Sequence, residues 1–184
     1  MKNPTKKELI VAIDKAYNET VAWFENQSDD DFNKSFVAGK WTSAGHLYHL
    51  IVTNNEIAKG FGLPKMMLRM TFGTSNRKER TFEQQRQKYK DSLAKILNTT
   101  GQGAKPGTKY EPDPAAVYDK SKLLDEYQQS KTNLLEKIDE QSEGQLDEFV
   151  LPHPLMGKLI LREFAYFADF HTYHHLENLK ANYH

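Results

Sequence analysis

Three histidines, His171, His174 and His175, stand within five residues of one another in the stretch HTYHHLENLK near the end of the chain. Histidine changes charge near neutral pH and is the commonest metal ligand, so such a cluster suits a proton shuttle or a metal site. It also suits an ordinary amphipathic helix end. At about 100° per residue, His171 and His175 share a helix face with Phe164, Phe167 and Ala168, and His174 falls at its edge. His171 and His175 are i and i+4, the spacing at which two imidazoles of one helix can hold one ion. Two ligands do not make a specific site, so a third must come from another helix. The stretch HLYH offers His46 and His49 at i and i+3. Periodicity leans to His46, which lies nearer the apolar stripe of its helix, and leaves His49 open.

The remaining composition narrows the chemistry. The chain has 184 residues, 25 basic and 25 acidic side chains, and no cysteine. The length suits one domain over 1–184. A lack of cysteine removes disulfides, thiolate-bound zinc and a cysteine nucleophile, and fits a reducing compartment. Neutral formal charge argues against a dedicated nucleic-acid binder, which carries a basic excess. The first residues, MKNPTKKELIVAIDKAYNET, interleave charged and apolar groups and do not read as a signal peptide. No run approaches the ~18 apolar residues of a membrane span. The expected location is the cytoplasm.

Four amphipathic helices must position the histidines. In the first, Leu9, Ile10, Ile13, Ala16, Tyr17, Val21 and Phe24 recur at spacings of three and four after Pro4 or Thr5. The second follows the GKW turn, capped by Thr42 or Ser43, with Leu47, Leu50, Ile51, Ile57, Ala58 and Phe61 on one face and Gly62 and Pro64 at its end. The third is SKLLDEYQQSKTNLLEKIDE, with Ser121 as its expected cap; the last spans about Leu159 to Asn182. Between the second and third lies a long crossover. It contains a further helix capped at Thr81, and then GQGAKPGTKYEPDPAA, whose three Gly and three Pro in sixteen residues predict an irregular loop. No stretch alternates convincingly as a strand, and EFVLP is too short to read as one. The expected fold is all-α: an up-down bundle of four helices with one long decorated crossover between the second and third.

Several other groups bear on function. Glu163, eight residues before His171, could approach the rim of a site, whereas Asp169 and Glu177 point away from the pair. His153, in HPLMG, is expected to shape the turn into the last helix. Trp41 is expected to anchor the start of the second helix, its ring buried and its N–H bonded. From Lys65 to Lys95 the chain carries nine Lys/Arg and three Asp/Glu. That segment reads as a solvated helix face or, alternatively, as a basic rim for an anion. Met66, Met67, Met70 and Phe72 read as a lid or interface.

The stretches GKWTSAGHLYHL (39–50) and HPLMGKLILREFAYFADFHTYHHLENL (153–179) together resemble the DinB/YfiT-like superfamily of four-helix bundles with a three-histidine metal site. FGTSNRKERTFEQQRQKYKDSLA (72–94) is similar to one uncharacterised branch of it. The likeness covers most of the chain after residue 35 and implies an all-α, up-down-down-up four-helix bundle. It implies ligands at His49, eight residues after Trp41, and at His171 and His175, with no ligand role for His174. Here the resemblance overrides the wheel, which assumes a straight helix facing one core.

A three-histidine set leaves a divalent ion its full charge and an open position, the layout of a catalytic site. Zinc suits three imidazoles best; nickel, iron and manganese are also accepted. The resemblance further implies a homodimer and a small-molecule substrate. It points to chemistry like that of thiol-dependent S-transferases, with the sulfur supplied by a low-molecular-weight thiol, or to metal-dependent hydrolysis. No general base stands out. The alternative is a non-catalytic binding or stress- and damage-response bundle protein with a vestigial or structural metal site. It would use Arg77, Lys78 and Arg80 toward a polyanion.

Overall fold

The computed structural model describes residues 3–101, 103–105 and 107–183; His184 lies outside them. Four long helices form the bundle: α1 (Lys6–Glu25), α3 (Ser43–Phe61), α6 (Lys120–Asp139) and α8 (Leu161–Asn182). Between them come the short α2 (Asp29–Phe32), α4 (Lys65–Thr71) and α7 (Glu143–Glu148), and the long α5 (Phe82–Thr100). Local chemistry sets the helix starts. Thr5 and Glu8 form a capping box on α1, as do Thr81 and Gln84 on α5, and the Thr42 hydroxyl accepts from the Gly45 N–H at the start of α3. The cap of α6 is Asp119 rather than Ser121, its carboxylate accepting from the Lys122 N–H at 2.8 Å. A carboxylate two residues upstream suits the helix N-terminus better than the serine does, so the helix begins earlier.

Side-chain pairings give the helix directions. Lys6 at the start of α1 meets Asp139 at the end of α6, while Lys120 at the start of α6 meets Asp29 just beyond α1, so these two run antiparallel. Arg162 at the start of α8 donates to the Pro4 carbonyl before α1, and Trp23 meets Tyr183 at the far end, so α8 runs with α1. The nitrogens of His46 and His49 on α3 meet those of His175 and His171 on α8, so α3 runs against α8. The order is therefore up, down, down, up, as the resemblance implies. The crossover from residue 62 to 119 lets α3 and α6 run in parallel.

Twelve consecutive residues of α8, Leu161 to Thr172, are buried. A helix buried on every side needs cover on every side. The bundle provides one part, and α5 the other: Phe82 packs on Tyr166, and Tyr89 on Phe167 and Phe170. The core is not wholly apolar. The Tyr17 hydroxyl donates to Asn54, whose amide donates to Ser130 at 3.2 Å, while the Tyr17 and Tyr127 rings stack at 5.0 Å. These pairings satisfy buried donors that would otherwise each cost about 1–3 kcal/mol.

One expectation is corrected. EFVLP does hold a strand: β1 (Val150–His153) pairs antiparallel with β2 (Gly157–Ile160), Val150 opposite Ile160 and His153 opposite Gly157. Each strand has four residues and neither alternates cleanly between buried and exposed, so period-two patterning is absent. The turn between them explains HPLMG. The His153 Nδ1 accepts from the Leu155 and Met156 N–H groups at 3.1 and 3.3 Å, and Gly157 takes φ +73°, a region an L side chain resists. His153 thus shapes the turn into α8, as expected. Its ring packs on Phe164 and Phe167, and burial holds its pKa down to about 4.

Two buried charges fix the start of α8. Arg162 donates to Asp147 at 2.5 Å and Glu143 at 2.6 Å, joining α7 to α8. Glu163, fully buried, accepts both guanidinium nitrogens of Arg77 at 2.6 Å and the Arg80 N–H at 2.9 Å. It therefore ties the crossover to α8 and does not reach toward the histidines, which corrects its expected place at a site rim. No helix among the described residues is long and apolar enough to cross a membrane.

Removing Glu163 strands two arginines, each about a third exposed, that can turn partly to water. Glu163→Ala should cost about 3 kcal/mol in urea unfolding, the low end for a broken buried pair. His153 predicts a pH dependence. Because its folded pKa lies near 4 and the ordinary value is 6.5, the unfolded chain binds more protons between these values. Its stabilisation is complete above pH 6.5 and is lost as the pH falls toward 4. Urea unfolding of metal-free protein should show the wild type losing up to about 3 kcal/mol more than His153→Asn between neutrality and pH 4. The Asn oxygen can accept the same two N–H groups without titrating there.

Candidate metal centre

The antiparallel run of α3 against α8 brings residues 46–49 level with 171–175. His49, His171 and His175 are all buried, and one ring nitrogen of each lies within 4.8 Å of the others. Their Nε2 atoms converge: His49 to His171 at 3.3 Å, and His171 to His175 at 3.1 Å. Two nitrogens held about 2.05 Å from one tetrahedral ion would lie about 3.3 Å apart. The donor set fits a single small divalent cation on that test.

What lies behind each ring sets its tautomer. His49 Nδ1 is 2.8 Å from the carbonyl oxygen of Tyr110, in the 3-10 turn Thr108–Tyr110 of the crossover. A carbonyl only accepts, so this Nδ1 carries the proton and, in the neutral ring, Nε2 presents its lone pair. His175 Nδ1 is 2.8 Å from His46 Nδ1. His46 therefore stands behind the pair and does not share their nitrogen cluster, contrary to what periodicity suggests. His174 turns aside, its Nε2 3.3 Å from the Asn178 amide.

Burial keeps these rings neutral. It pushes His46 down to about 3 and is the largest cause lowering His49, His171 and His175, with neighbouring imidazoles adding to it at each ring. The Tyr110 carbonyl opposes the effect at His49. Neutral rings are the form that ligates metal.

Aromatic walls enclose the cluster. Phe167 stacks on His171 with ring centroids 4.5 Å apart, and Tyr89 of α5 meets His171 and His174 edge-on at 6.2 and 5.7 Å. Trp41 lies parallel to His175 at 6.2 Å and tilted over His49 at 5.0 Å. Trp41 is half-buried, and no hydrogen bond to its ring N–H is found among the described residues, so the expected buried, bonded anchor is corrected to a flank of the cluster. Its carbonyl does accept from the Tyr183 hydroxyl.

Other candidates lie elsewhere. His153 is separated from the cluster by Phe167, which packs against both His153 and His171. Asp169 is buried, and burial raises its carboxyl to about 6, but its charged neighbours are Arg86, Glu19 and Lys15 rather than the histidines. Two partners of the cluster went unread in the sequence. The Tyr110 carbonyl leaves no residue-type signal; Trp41 was read as packing at the helix start, although it stands just before the cap of the helix that carries His49.

The crossover reaches His49 because Gly45 leaves room. A Cβ there would meet Pro112 Cγ at 3.1 Å and Trp41 Cβ at 3.2 Å. Gly45→Ala should improve helix propensity by up to about 1 kcal/mol while displacing the loop and the flanking tryptophan. Thermal melts should stay near wild type, while a zinc titration should show affinity about tenfold lower or worse.

No curated protein and no solved structure matches the chain. A family model of the DinB superfamily matches residues 12–179, which takes in most of α1 and α8, the whole of α3 and α6, and every histidine of the cluster. By that match, and by its bundle, the chain belongs to the DinB superfamily.

Proposed function

We propose that the protein is a metal-dependent enzyme in which the Nε2 atoms of His49, His171 and His175 hold one divalent ion that acts on a small molecule. The observation that carries this reading is the convergence of three buried Nε2 atoms at 3.1 and 3.3 Å, with the opposite nitrogen of His49 bonded to a carbonyl. Zinc suits the donor set best; nickel and iron share its affinity for imidazole, and manganese, which favours oxygen ligands, is accepted as well. With three neutral ligands, the ion would keep its double charge and supply Lewis acidity to a substrate thiolate, carboxylate or water at its remaining position. The chain's own part is to hold the three rings neutral, to fix the His49 tautomer, and to wall the cluster with Trp41, Tyr89 and Phe167. Among the described residues no carboxylate joins the cluster, and the chain carries no cysteine. A reacting sulfur would come from a low-molecular-weight thiol, giving S-transferase-like chemistry; hydrolysis of a small molecule uses the same centre.

The polyanion-binding alternative loses much of its basis. Arg77 and Arg80, two of its three cations, donate to buried Glu163.

Elemental analysis of protein purified without metal-affinity resin tests the reading. The expected result is about one divalent ion per chain, absent from the combined His49→Ala, His171→Ala, His175→Ala variant. Protein that carries no metal and takes up none from zinc, nickel, iron or manganese solutions sinks it.

A further inference from the structure

His46 has no place in the nitrogen cluster, yet it is mostly buried and its Nδ1 lies 2.8 Å from the Nδ1 of His175. Its ring meets that of His175 at 5.1 Å and 67°, and Trp41 lies edge-on to it at 5.5 Å. Two neutral imidazole nitrogens can bond only if one carries the proton and the other a lone pair. The rest of the cluster decides which. His175 Nε2 faces His171 Nε2 at 3.1 Å, and if both are to ligate an ion, both must present lone pairs. The proton of His175 then sits on Nδ1 and is donated to His46, whose own proton moves to Nε2.

We infer that His46 is a positioning residue of the metal centre, accepting the Nδ1–H of His175 and so holding that ring with its Nε2 lone pair toward His49 and His171. The inference rests on the metal reading above. His46 does for His175 what the Tyr110 carbonyl does for His49. A ligating imidazole usually donates its other N–H to such an acceptor, and the acceptor sharpens both its direction and its basicity. A histidine is an unusual choice for that acceptor, since only its unprotonated nitrogen can accept. Trp41 and His175 pack against the ring, in a place where a carboxylate would be costly to bury.

The test compares zinc affinity, by competition with a chelating dye, in wild type, His46→Phe and His46→Asn. Phenylalanine keeps a flat ring without an acceptor; the Asn Oδ1 stands where His Nδ1 stands. His46→Phe should bind zinc about 10–100-fold more weakly, and His46→Asn should recover most of that loss. In metal-free wild-type protein, nitrogen NMR should show a coupling across the hydrogen bond between the two Nδ1 atoms, absent from His46→Phe. Thermal melts confirm that both variants fold, and the asparagine variant keeps the claim open to refutation should the phenylalanine not fit.

Wild-type affinity in His46→Phe overturns the inference alone. Complete loss of binding in both variants, as in His49→Ala, also overturns it, by making His46 a ligand. A wild-type chain that takes up no zinc overturns the metal reading, and the positioning role with it.

Discussion

Three imidazole nitrogens turned toward one another inside a protein form an arrangement that neutral rings do not favour on their own. Presented as lone pairs, they repel; shared through one proton, they leave at least one acceptor unmet, at about 1–3 kcal/mol for a buried group. The bundle accepts this between α3 and α8, and the rest of the structure serves to make it tolerable. The outer nitrogens of His49 and His175 have partners, the walls are aromatic rather than charged, and burial removes the competing protonated forms. A cation at the point of convergence would turn the repulsion into attraction, which is why the donor geometry is more telling than the number of histidines.

Holding that cluster requires α8 to stay in register with α3 along its length. The far end of α8 is fastened by Arg162 and Glu163, whose charges are paired with α7 and with the crossover. The hairpin turn built around His153 sets the angle at which the chain enters α8. At the other end Tyr183 closes onto the Trp41 carbonyl, joining the last residues to the turn before α3. Fixed at both ends, the helix has little room to rotate, so the face carrying His171 and His175 stays inward. The long crossover fits this scheme. It supplies α5 as the outer cover of α8, two arginines for Glu163, and the carbonyl behind His49.

Much of the architecture was legible in the sequence because it is written in periodicity. The stripes of the four helices, the Thr42 and Thr81 caps and the irregular stretch after Gly101 all depend on residue type at fixed spacing. The strands were not legible: four residues each, without alternation, are held by a turn whose key acceptor is a side chain. The pairing of His171 with His175 could be read from a single helix. The choice between His46 and His49 could not, because a wheel gives angles about one axis and says nothing of how far across the bundle a side chain reaches. The resemblance singled out His49, and the structure brings its Nε2 to His171 while placing His46 one layer behind. Glu163 was misplaced for a related reason: an angle on a wheel ignores the ~12 Å of helix that separate it from His171.

The carbonyl behind His49 belongs to the main chain, and that changes what the centre is sensitive to. Any side chain at position 110 presents the same oxygen, so substitution there can leave the partner intact. An inserted or deleted residue between α5 and α6 cannot, because it rotates or withdraws the peptide plane. The length and path of an irregular loop thus become part of the site's specification, while its amino-acid identities at that point do not. Two chains could share all three histidines and differ in the strength of the centre by the count of residues in a segment that no ligand motif includes.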